Sequence, residues 1–240
     1  MKYQIFAKSV LMVILSLFLS QVQAKGSVKG FYAIAYDMKT NKYLYTAYHR
    51  DYFENNRIVR RSTLYKNKKG KIGHRYVNFN NSKIAPNFSF KDIRRGYEQG
   101  VIIKKDNVLL YSKESKSAKK KKSFVKLKDN LVVDEGFDFF VMKNWSILMS
   151  GQKIIFKYAV PSQRDYYTFN IQKVGFMTIK GKKCLKIKLS VNSMVLKMFV
   201  DNIIVSYALD DKRPMSYHGI SNISNLEGKS YKVNLYFNYK

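Results

Sequence analysis

The sequence predicts a mainly β (α+β) fold: a curved antiparallel meander or half-open barrel cupping one amphipathic helix at about residues 134–150. Three observations carry this reading. Short runs of alternating apolar and polar residues recur along the chain, separated by turn residues. Hydrophobic residues make up 46% and aromatics 15%, which is enough ring surface to bury a core and too much for a disordered basic tail. Only one long stretch, Asp134–Gly151, abandons the two-residue rhythm for three- and four-residue steps.

Residues 1–24 read as a cleavable export signal. Lys2 and Lys8 precede the apolar run Val10–Leu19, and Val22-Gln23-Ala24 supplies the small residues behind which a signal peptidase cuts. That run is too short for a membrane span, which needs about 20 residues. No later segment approaches that length, so no transmembrane span is expected after signal removal. Residues 25–240 are expected to form a single β-rich domain, with a boundary near residue 130 as the alternative because net charge drops there.

Phe31–Tyr36 and Tyr43–Tyr48 flank a polar turn and read as a first hairpin. Ile58–Tyr65 with Ile72–Phe79 makes a second, and Val101–Tyr111, turning near Lys105-Asp106-Asn107, makes a third. Lys113–Lys128 then carries eight lysines and one Glu, including the run Lys119, Lys120, Lys121 and Lys122. Like charges at this density repel, so the segment is expected to be a solvated loop.

In the helical stretch, Phe137, Phe140, Val141, Leu148 and Met149 share one face with Trp145. Asp134 is expected to cap its start and Gly151 to take the left-handed position past its end. Strands follow at Ile154–Val160, Tyr166–Val174, Cys184–Val191, Ile203–Leu209, Met215–Ile220 and Tyr231–Tyr239, with a short helix expected from Ser193 to Val200.

The net charge is +29, with 36 lysines against 9 arginines. Residues 25–128 hold +20 of it and residues 129–240 only +7. Lysine excess suits an anionic lipid or envelope surface. It suits nucleic acid poorly, because arginine is the better residue for bidentate phosphate and base contacts. Nucleic acid is therefore an unlikely partner.

Reaction chemistry finds little support. His49, His74 and His218 lack metal-ligand spacing, and no nucleophile elbow or phosphate-cradling glycine loop occurs. No cofactor, metal or catalytic residue is expected. Asp134, Glu135 and Asp138 read as helix-dipole partners. The sole cysteine, Cys184, falls on the apolar side of a strand and reads as a buried, inert thiol.

Several stretches together resemble an uncharacterised family of exported bacterial proteins. They are Tyr36-Asp37 through Tyr45 and His49, Ala85–Phe90 with Gly96-Tyr97-Glu98, Gly136–Phe140 through Val160-Pro161-Ser162, Val200–Tyr207, and Tyr217–Asn222. The resemblance implies no reaction and no catalytic residue. At the level of architecture, a curved sheet cupping a helix is similar to the half-open barrels that carry lipids and lipoproteins across the periplasm.

The expected protein is exported, periplasmic or extracellular, and non-enzymatic. It binds an apolar or amphipathic, lipid-like ligand in its half-open barrel. Phe137, Phe140, Trp145 and Met149 are the candidate ligand wall, and Lys119, Lys120, Lys121 and Lys122 the candidate contact with an anionic surface. The alternative is a structural or protein-interaction protein of the cell envelope with a filled core. An open space of a few hundred Å³ between sheet and helix separates the two.

Overall fold

The computed structural model describes residues 26–191 and 202–239. The expected export signal and the expected helix from Ser193 to Val200 lie outside the described residues. Among the described residues no helix is long and apolar enough to cross a membrane.

The first eight strands are β1 (Ser27–Asp37), β2 (Tyr43–Glu54), β3 (Arg57–Asn67), β4 (Gly70–Asn78), β5 (Asn87–Asp92), β6 (Tyr97–Ile103), β7 (Asn107–Lys113) and β8 (Lys121–Lys126). The short β9 (Leu131–Val132) precedes two helices, α1 (Gly136–Lys143) and α2 (Trp145–Met149). Six strands follow among the described residues: β10 (Ile154–Val160), β11 (Asp165–Ile179), β12 (Lys182–Val191), β13 (Ile203–Ala208), β14 (Pro214–Ser224) and β15 (Ser230–Tyr239).

All the strands belong to one sheet in the order β8-β7-β6-β5-β4-β3-β2-β1-β15-β14-β13-β12-β11-β10-β9. Except for β8 and β9, each strand lies beside its neighbour in sequence, and β1 also pairs with β15, from Phe31↔Tyr239 to Asp37↔Val233. The meander therefore turns back on itself and opens only between β8 and β9. Residues 127–130 bridge that gap, a span of at most about 18 Å between strand ends. The result is a half-open barrel. Pairing is antiparallel throughout except for β9 with β10, where the helical segment serves as the crossover that a parallel pair requires.

Alternation fixes which side chains face inward. On β2, Tyr45, Ala47, His49 and Asp51 are buried while Tyr48 and Arg50 are exposed. One apolar cluster fills the arc of β1–β7, built around Ala33, Ala35, Ile72, Val77, Phe79, Val101 and Leu110. A second joins Phe137, Phe140, Val141 and Leu148 of the helices to Phe156, Ile171, Leu185, Ile187, Val205 and Tyr207 of β10–β13. Cys184 is fully buried, beside Ile179, Ala208 and Met215.

Three local expectations change. The single helix divides at Asn144, whose side-chain amide donates to the Phe140 carbonyl oxygen at 2.8 Å and competes with the backbone ladder. Asp134 does not cap. It takes a left-handed φ of 44°, Glu135 holds the N-cap position, and no side chain there makes a capping bond. The lysine run is not wholly a loop either: Lys121 and Lys122 begin β8, opposite Ser112 and Tyr111 of β7. An edge strand keeps one side in water, so lysine is tolerated there and discourages further strand addition. Gly151 does adopt the left-handed conformation, with φ 85°.

Gly136 sets how closely α1 approaches the loop before β5. A Cβ at this position would overlap the Ile84 carbonyl oxygen, and Val133 N–H already donates to that oxygen at 3.0 Å. Gly136→Ala is expected to destabilise the protein by about 1–3 kcal/mol, lowering the thermal midpoint by several degrees in a circular-dichroism melt.

Candidate functional site

A cavity of about 740 Å³ lies between the inner face of the sheet and the start of α1. Its walls are mostly apolar: Leu189 and Val191 of β12, Ile203 and Val205 of β13, and Val233, Leu235 and Phe237 of β15. These residues fall two apart on each strand, as one face of a pleated sheet demands. A tyrosine set (Tyr45, Tyr65, Tyr158, Tyr207 and Tyr217) adds ring surface around one region of the lining.

That region is charged. On β2 and β3, Asp51 stands directly opposite Arg61 in the register, and His49 opposite Thr63. Arg61 grips Asp51 through Nε and Nη2, the latter 2.7 Å from Oδ2, and reaches Glu135 Oε2 with Nη1 at 3.2 Å. Arg75 of β4 donates from Nη1 to Glu135 Oε1 at 2.8 Å and lies 3.3 Å from Asp134 Oδ1. Tyr207 donates to Asp138 Oδ1 at 2.7 Å. Arg75 Nε and Asp134 Oδ2 are buried with no partner among the described residues.

Burial and partners set the protonation states. Burial drives the His49 imidazole down to about 3, with Arg61 and Arg75 adding to that effect against Glu135, so the ring is neutral. Burial alone would raise Glu135. The two guanidinium groups outweigh it and hold this carboxylate below its usual range. For Asp134 and Asp138 the compensation is only partial. Burial pushes Asp138 up to about 6, against the pull of Arg61 and the Tyr207 hydroxyl, and it pushes Asp134 upward too.

His49 does meet a carboxylate in this cavity, with Nδ1 4.0 Å from Glu135 Oε1 and 3.0 Å from Thr63 Oγ1. Both contacts fall on the same ring nitrogen. A nucleophile–base–acid relay needs one partner on each nitrogen, and a general base needs a pKa nearer neutrality. This arrangement holds the ring in place, stacked 4.4 Å from Phe31, rather than activating Thr63. Among the described residues no group of His, Cys, Asp and Glu side chains has metal-binding geometry.

Of the four residues read as a ligand wall, Phe137 borders the cavity. Phe140 packs against Phe156, ring centroids 4.6 Å apart and planes tilted by 41°, within the second apolar cluster, where Trp145 and Met149 are only partly buried. Lys119, Lys120, Lys121 and Lys122 are exposed at or just before the β8 edge, away from the cavity lining. Lys120 pairs with Glu98 at 2.8 Å and sits 4.9 Å from the Tyr111 ring centroid. Sequence reasoning missed Arg61 and Arg75, and it considered His49 only to set it aside. The signal was present: Tyr45 and Ala47 begin an inward phase on β2 that continues to His49 and Asp51.

Fold and site together define a mainly β half-open barrel with a charged region inside an apolar cavity. No family model matches the chain, and no curated protein matches it. Solved structures do show likeness. A beta-barrel-like protein of domain of unknown function DUF1849 from Brucella abortus matches over 90% of this chain and 98% of its own, at 7% identity and a TM-score of 0.41. A DUF1329 family protein from Desulfovibrio piger matches over 90% and 85%, at 8% identity and a TM-score of 0.31. A LolA superfamily protein from Nitrosomonas europaea matches over the same shares at 8% identity and a TM-score of 0.22.

Asp138 makes a measurable prediction. Its folded pKa of about 6 exceeds the ordinary 3.8, so its stabilising contribution is complete below about pH 4 and is lost as pH rises through 6. Moving from pH 7.5 to pH 5 should stabilise the native protein by about 1 kcal/mol through this group. Asp138→Asn should remove that pH dependence and raise the urea midpoint at pH 7.5. Arg61→Met should instead lower stability by about 3–5 kcal/mol at pH 7.5 in the same titration, because Asp51 and Glu135 lose a shared cation.

Proposed function

We propose that this is an exported envelope protein that binds an apolar or amphipathic, lipid-like ligand in its half-open barrel, without catalysing a reaction on it. The cavity is the observation that carries the reading. About 740 Å³ of space lies against apolar side chains from β12, β13 and β15, where a protein with a purely structural interior would place packed side chains. Burying an acyl chain there would gain roughly 25 cal/mol per Å² of apolar area before association costs.

The exterior supports a second part of the proposal. The chain carries +29, and +20 of it lies in residues 25–128, the segment that contains β1–β8. Lys119, Lys121 and Lys122 would face an anionic envelope surface from the open edge of the barrel. Lys120, already bound to Glu98, would contribute less. Proposed export to the periplasm or cell exterior rests on the reading of residues 1–24.

Native mass spectrometry of the mature protein, purified without detergent, should show adducts of lipid mass. Val205→Trp, which projects a large ring into the cavity, should abolish them while leaving the circular-dichroism spectrum intact. An unliganded spectrum from several expression hosts, with no uptake of added lipid, would count against the carrier reading. Replacing Lys119, Lys121 and Lys122 together with Ala should weaken binding to phosphatidylglycerol vesicles several-fold at low salt. The difference should shrink as salt approaches 0.5 M.

A further inference from the structure

The exterior and the cavity carry opposite electrostatic character. Asp134, Glu135 and Asp138 supply three carboxylates to the cavity lining against the two guanidinium groups of Arg61 and Arg75, and Asp51, outside the lining, is bound to Arg61. His49 is neutral. Both arginines are already engaged: Arg61 by Asp51 and Glu135, Arg75 by Glu135 and Asp134. Arg75 keeps one buried donor, Nε, without a partner among the described residues; the other guanidinium hydrogen bonds go to carboxylates already present.

The surplus lies with Asp134 and Asp138. Asp138 has one carboxylate oxygen bound by the Tyr207 hydroxyl, and its other oxygen has no protein partner among the described residues. Both residues border the cavity. A second, independent feature points the same way. Tyr65 is only 4% exposed and lines the cavity, yet its hydroxyl makes no hydrogen bond among the described residues. The hydroxyl oxygen is not fully enclosed, so it opens onto the cavity and is free to accept a hydrogen bond from a ligand. Tyr65, Tyr158 and Tyr207 also present aromatic rings there, and rings attract cations.

We propose that the charged region of the cavity receives a protonated amine, so that the ligand is an amphiphile with a cationic amine head and an apolar tail along β12, β13 and β15. The amine would lie between Asp138 and Asp134, within reach of the Tyr65 hydroxyl oxygen. This deepens the carrier reading and rests on it. It also reverses what the surface would select. A body of net charge +29 attracts anions at long range, so a preference for an amine can arise only inside the cavity, where carboxylates outnumber cations.

Three probes with the same tail separate the possibilities: dodecylamine, dodecanol and dodecanoic acid. Each is titrated below its aggregation threshold into the full-length mature protein by calorimetry, at pH 7.5 and 150 mM salt to screen the exterior field. Dodecylamine should bind at least 10-fold more tightly than dodecanoic acid, with dodecanol between them. Asp138→Asn, which preserves the acceptor for Tyr207, should reduce dodecylamine affinity about 10-fold and leave dodecanol unchanged. Tyr65→Phe should cost the amine several-fold without altering the fold. Dodecanol binding with no preference for the amine, or an amine preference untouched by Asp138→Asn, overturns the headgroup assignment alone. If none of the three binds, the carrier reading falls with it.

Discussion

Glu135 is the point on which this architecture turns. It sits at the N-cap of α1 and accepts hydrogen bonds from Arg61 on β3 and Arg75 on β4. One carboxylate thereby ties the start of the helix to the N-terminal arc of the sheet, while Phe137, Phe140 and Val141 bind the same helix to β10–β13. A sheet that opens between β8 and β9 has no ladder to hold those arcs apart at a fixed distance. The helix does so, clamped by charge on one side and by apolar packing on the other. A buried carboxylate is stable here only because two cations share it. Removing either partner would leave an uncompensated charge in a low-dielectric space.

That clamp also explains why the cavity is polar in one place and apolar elsewhere. The ionic residues come from β2–β4 and the helix start, while the apolar wall comes from β12, β13 and β15, and the pairing of β1 with β15 joins the two arcs. An amphipathic interior follows from bringing two differently patterned arcs around one space. The exterior obeys a separate rule. Lysines accumulate at water-facing positions, including the β8 edge, where charge costs little and guards an unpaired ladder.

Much of the fold was legible in the sequence. Tyr43–Tyr48, Ile58–Tyr65 and Ile154–Val160 are strands where alternation placed them, because a half-buried strand leaves its period in the residue order. β5 and β9 escaped notice: β9 is two residues, too short for a period to register, whereas β5 alternates over six residues and was simply not read as a strand. The lysine run misled for a different reason. Charge density predicts solvation, and an edge strand can be solvated as well as a loop. Asn144 was silent because a helix break caused by one side-chain amide leaves no pattern over a window of residues.

The site was less legible. Phe137 was found because amphipathic spacing marks an inward face, but that pattern cannot distinguish a residue bordering a cavity from one packed against Phe156. Asp134, Glu135 and Asp138 were visible as a group at a helix start, yet their partners Arg61 and Arg75 lie 60 to 74 residues away, as measured by the two hydrogen bonds to Glu135. The sequence by itself determined the strand periods, the helical segment, the mainly β class and the lysine-rich exterior, all of them consequences of local order and composition. Only the tertiary structure decided that an open cavity persists, that its carboxylates outnumber its cations, and that His49 is neutral. Those properties depend on volume left unfilled and on charges meeting across the barrel, and neither quantity is written in the spacing of neighbouring residues.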